Sequence, residues 1–72
     1  MNSLEFDMLQ LHILDSLEKK GPTTSERLAA RLAAPHGNVR FALEQLRERK
    51  EPRVKRLPFG VWDTTDQSSV AA

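Results

Sequence analysis

The residues of this chain with the most concentrated chemical potential are its cations. Arg53, Lys55 and Arg56 fall within four positions, Lys50 stands just ahead of them, and Arg40 and Arg47 lie upstream. Asn38 and Gln45, whose amides both donate and accept hydrogen bonds, are interleaved with the arginines. Guanidinium and ammonium groups bind anionic oxygen, and carboxamides read donor and acceptor patterns. Residues 21–60 carry nine Arg and Lys against four Glu, a net of +5, whereas residues 1–20 and 61–72 each carry a net of −2. The total of +1 therefore hides a basic middle. That asymmetry is what a polyanion-binding surface needs, and a solvated charged surface is the plain alternative.

Other chemistries have little to work with. The chain has no cysteine, so disulfides and thiolate zinc sites are excluded. His12 and His36 are the two histidines, and neither sits in a ligand-spaced cluster. His12, Asp15 and Ser16 are the residue types of a hydrolytic triad, but on one helix they cannot form the nucleophile–base–orienter chain. No glycine-rich phosphate loop occurs. No catalytic residue, metal site, cofactor or small-molecule ligand is expected, and the chain is not read as an enzyme.

The elements that would position the cations follow from periodicity and punctuation. Asn2 with Glu5 has capping-box spacing, and Lys19-Lys20-Gly21-Pro22 carries helix-ending signals, which predicts a first helix over residues 4–19. Phe6, Leu9, Ile13 and Leu17 form one face, with Leu14 at its edge. Met1, Leu4, Met8 and Leu11 form a second stripe on nearly the opposite face. A monomer's surface helix needs only one apolar stripe, so the second is assigned to a homodimer interface. Self-association would also help so short a chain, because cores of this size supply only roughly 3–5 kcal/mol.

Thr23 and Glu26 repeat the capping spacing and predict a second helix over residues 24–33, with Leu28, Ala29 and Leu32 inward and Arg27 and Arg31 outward. Pro35-His36-Gly37 interrupts it tightly. Val39, Leu43 and Leu46, with Ala42, give a third helix from residue 36 or 37 to 49. Beyond Pro52 the pattern turns strand-like: residues 53–57 and 61–65 flank Pro58-Phe59-Gly60, where Gly60 supplies the positive φ of a three-residue hairpin loop. The expected fold is α+β, mainly α: three helices and a C-terminal two-stranded β-hairpin in one domain, residues 1–65. Residues 66–72 are expected to be a disordered tail.

This order of elements resembles the winged helix-turn-helix regulators of bacteria and phages. The resemblance is carried by Ile13-Leu14 with Leu17, Gly21-Pro22-Thr23-Thr24, Glu26-Arg27-Leu28-Ala29 with Leu32, Val39-Arg40 with Leu43 and Leu46, and the hairpin over residues 54–65. It covers about residues 9–65, most of the chain. It implies a transcriptional regulator of double-stranded DNA, with the third helix in the major groove and the hairpin, or wing, against backbone or minor groove. Asn38 and Gln45 would then read adenine, Arg40 guanine and Phe41 a thymine methyl. Arg53, Lys55, Arg56 and Lys50 would meet phosphates, and Thr23, Thr24 and Ser25 would offer backbone N–H groups to another. His36 and Arg47 complete the set of candidate DNA contacts.

Several of these side chains also have plainer roles. Phe41 can pack on the wing or on a partner subunit, Arg40 and Arg47 can pair with Glu44, Trp62 suits a hairpin core, and His36 suits a turn. Glu44 and Glu48 on the outward face of the third helix oppose phosphate contact. With Phe41 and the second stripe of the first helix, they motivate an alternative reading. In it the chain is a winged-helix protein-interaction module, such as a phage or plasmid factor that grips a host protein. With no export signal and no apolar run longer than three residues, no membrane span is expected and a cytoplasmic location is the default.

Overall fold

A computed structural model describes residues 3–65. Met1, assigned above to the second stripe, and the tail at 66–72 lie outside the described residues. The elements run α1 (Ser3–Lys20), β1 (Thr23–Thr24), α2 (Ser25–Leu32), α3 (His36–Arg47), β2 (Val54–Arg56), a single 3₁₀ turn (Pro58–Gly60) and β3 (Val61–Thr64). The result is a mainly helical α+β fold of winged-helix-like topology. Among the described residues no helix is long and apolar enough to cross a membrane.

Each helix ends for a local reason. α1 stops where Gly21 adopts φ 84° and donates its N–H to the Leu17 carbonyl at 2.9 Å, and Pro22 forbids another turn. α2 is capped by Thr24, whose Oγ1 accepts from the Arg27 N–H at 3.2 Å. The cap falls one residue later than the Thr23–Glu26 spacing suggests. Thr23 is instead buried in β1, where it pairs with Trp62 of β3. At the other end Ala33 takes a left-handed conformation (φ 53°, ψ 43°), and its N–H and that of Ala34 turn back to the α2 carbonyls. α3 is two residues shorter than expected: Glu48 is its C-cap, and the Arg53 N–H returns to the Leu46 carbonyl at 3.1 Å.

The sheet has three antiparallel strands in the order β1-β3-β2, one more than the sequence suggests. The added strand, two residues long, ties the start of α2 to the wing. On the other side of β3, Val54 pairs with Thr64, Lys55 with Asp63 and Arg56 with Trp62. The core is the stripe Leu9, Ile13, Leu14 and Leu17 of α1, packed on Leu28 and Ala29 of α2, on Val39, Ala42, Leu43 and Leu46 of α3, and on Val54 and Trp62 of the sheet. Phe6 and Leu32 pack at its margin. Polar bridges span the helices as well: Arg31 donates to Ser16 Oγ at 2.9 Å, and Arg49 donates to the buried Gln10 Oε1. Among the described residues, eight core side chains are less than 2% exposed, so the orientation of α3 against α1 and the sheet is fixed by close packing.

Candidate nucleic-acid interface

Three elements converge on one groove. The N-terminus of α2 brings Thr24, Ser25 and Glu26; α3 brings His36, Arg40 and Glu44; the wing brings Arg56, Phe59 and Gly60 above Trp62. The groove holds about 230 Å³. Its floor is tied together by the hydrogen bond between Ser25 Oγ and His36 Nε2, 2.9 Å, which joins the first turns of α2 and α3. Arg40 and Arg56 are exposed, so two guanidinium groups from different elements face one opening.

The remaining α3 candidates divide by flank, as 100° per residue requires. On the wing side, Arg47 donates to Glu44 Oε2 at 2.7 Å and lies 5.7 Å from the centroid of the Trp62 ring. Arg47 is thus held by two intramolecular partners, and its charge offsets that of Glu44. On the other side, Asn38 and Gln45 are half-buried. Phe41, 57% exposed, packs on Phe6 of α1 with ring centroids 5.2 Å apart. The partner of Phe41 is therefore α1 rather than the wing.

The basic run over residues 53–56 also splits. Side chains alternate across a strand, so Arg56 shares the helix-facing side of the hairpin with Val54 and Trp62, whereas Lys55 stands opposite Asp63 on the outer side. Arg53 borders a separate hollow with Arg49, Lys50 and Glu51 beyond the end of α3. Of the three wing cations, Arg56 alone lines the groove.

One feature of the wing is not among the candidates read from the sequence. Phe59 occupies the tip, is 97% exposed and has φ 65°. The signal was present: a large apolar residue between Pro58 and Gly60 in a hairpin loop has no core to enter.

Elsewhere, two of the three residues with triad chemistry are separately engaged. Asp15 pairs with Lys19 at 3.2 Å, and Ser16 accepts from Arg31. In the second stripe of α1, Leu4, Met8 and Leu11 are 71%, 45% and 59% exposed. Leu4 and Met8 border a hollow of about 360 Å³ that reaches Ala34 in the α2–α3 turn.

No family model matches the chain, and no curated protein or solved structure matches it either.

Proposed function

We propose that the chain is a double-stranded DNA-binding regulator that lays α3 in the major groove and the wing on the adjoining backbone and minor groove. The observation that carries this reading is the pairing of Arg40 on α3 with Arg56 on the wing across a single groove. An α-helix fits a major groove of about 12 Å, and a wing cation beside the helix fixes its register through phosphate. Arg40, near the N-terminal end of α3, is placed to read guanine, and Arg56 meets phosphate. Lys50 and Arg53 extend the basic track past the end of α3. Pairing with Arg47 offsets Glu44, one of the three acids, with Glu26 and Glu48, that would oppose this approach. Two copies related by a two-fold axis through the Leu4, Met8 and Leu11 face would present two such surfaces to a near-palindromic site.

Single-site variants test the assignment on duplexes selected from a random pool. Arg56→Ala should weaken binding alike on all sequences and reduce the salt slope by about 0.9. Arg40→Ala should cost about 1–3 kcal/mol on the selected site and relax its specificity. Lys55→Ala, on the outer side of the wing, should leave the slope unchanged. Equal effects from all three would mean that the groove is not the contact surface.

A second reading, a winged-helix module that binds protein, is favoured by the exposed Leu4, Met8 and Leu11 row and by Glu26 and Glu44 beside the groove cations. Retention of a partner protein by a chain lacking the Arg40 and Arg56 charges would select it.

A further inference from the structure

Phe59 is out of place by two independent physical criteria. A phenylalanine that is 97% exposed contributes no core burial, and apolar residues of this size are held inside folds by the area they remove from water. Its backbone at φ 65°, ψ 27° is left-handed, a region that suits glycine or asparagine and is strained for a bulky side chain. Neither packing nor backbone preference accounts for this residue at this position. Strain of that kind is retained where a site uses it.

The surroundings indicate the use. Pro58 presets the turn, Gly60 at φ 72° completes it, and the Leu57 N–H donates to the Val61 carbonyl at 2.7 Å, closing the loop. The ring is thus carried on a short, closed turn, whose backbone has little conformational freedom left to lose on binding. The groove behind it holds the exposed Arg40 and Arg56 with Glu26 and Glu44, the latter paired with Arg47, so two guanidinium groups able to meet phosphate flank the apolar tip.

We propose, building on the duplex-binding reading, that Phe59 is a wedge that enters the minor groove between two base pairs, unstacks them and bends the duplex. Apolar side chains inserted in this way kink DNA by roughly 20–90° toward the major groove. In this chain the kink would fold the duplex around α3. Flexible pyrimidine–purine steps would be preferred at the insertion point, because they unstack most easily. The wing tip would then contribute specificity without a hydrogen bond to a base.

The test uses the full chain with duplexes of about 30 base pairs labelled at both ends for energy transfer and carrying 2-aminopurine at a central TA step. The wild type should shorten the end-to-end distance and raise 2-aminopurine fluorescence. Phe59→Asn, which suits left-handed backbone, should melt at the same or a higher temperature and keep the salt slope. It should lose both optical signals and bind about tenfold or more weakly, since one aromatic–base stack is worth roughly 1–3 kcal/mol. Phe59→Leu, still a wedge, should restore the bend. A wild type that binds with a steep salt slope but leaves the duplex straight and stacked would overturn the wedge and leave the duplex reading intact. A wild type that binds no duplex would overturn both. A Phe59→Asn chain that bends DNA normally would release Phe59 to a protein contact, and one that melts markedly lower would make it structural; either result removes the proposal.

Discussion

The joint between α2 and α3 sets the angle at which α3 is presented, and it contains a residue that glycine should improve. Ala33 is the left-handed C-cap of α2, with φ 53° and an exposed side chain. For an L-residue that conformation costs roughly 1–2 kcal/mol, from the Cβ crowding the following carbonyl. Glycine removes the crowding but gives back about 0.5–1 kcal/mol through the larger entropy of its unfolded chain. Since the Ala33 methyl lies outside the core, nothing else is lost. Ala33→Gly should therefore stabilise the domain by up to about 1.5 kcal/mol. At about 4–8 °C per kcal/mol for a domain of this size, the melting temperature should rise by up to about 12 °C.

The matched control is Ala30→Gly, the same exchange at an exposed position within α2, where the backbone is right-handed and glycine should cost about 0.5–1 kcal/mol. Thermal melts followed by far-UV circular dichroism, at several protein concentrations, separate the two. Opposite signs from an identical chemical change are the expected result. If both variants melt below the wild type, Ala33 does not carry the strain described, and the α2–α3 turn has another geometry.

Leu46 is fully buried in the core, so Leu46→Ala should cost about 2–5 kcal/mol. Against the roughly 3–5 kcal/mol that a core of this size supplies, urea titration should find the variant partly unfolded at room temperature. Leu11→Asp places a charge in the exposed stripe of α1, and sedimentation equilibrium should show a dimer converted to monomer with helix content retained. A wild type already monomeric at high micromolar concentration would remove the two-fold arrangement.

The helices and most of the core are legible in the sequence, because a buried helix face writes itself as spacing. Ile13 with Leu17, and Val39 with Leu43 and Leu46, are recognised by periodicity alone and are all buried. What escapes is set by contacts distant in the chain. Thr23 reads as a cap because the bond that claims it comes from Trp62, some forty positions away. The early end of α3 reflects the return of Arg53 to Leu46 rather than any breaker in residues 48 and 49. Among the site residues, Arg40 and Arg56 share a groove only because β2 alternates and the wing folds toward α3. The sequence presents Arg53, Lys55 and Arg56 as one run, and pairing to β3 divides them among three surfaces. The pairing of Arg47 with Glu44 is legible at helical spacing, whereas its stacking on Trp62 joins α3 to β3, fifteen positions further on. Phe59 was overlooked because Pro58 and Gly60 explain the turn without it.

The most direct test of the account is the salt dependence of duplex binding by the unmodified chain. Lys50, Arg53 and Arg56 are exposed, and at about 0.9 per neutralised phosphate three contacts give a log–log slope near −2.7 for each chain bound. Fluorescence anisotropy of a labelled duplex, titrated across a range of salt concentrations, measures it. A slope of about that size is the predicted result. A slope near zero, or no association at low salt, would contradict the claim that α3 and the wing form a phosphate-binding surface.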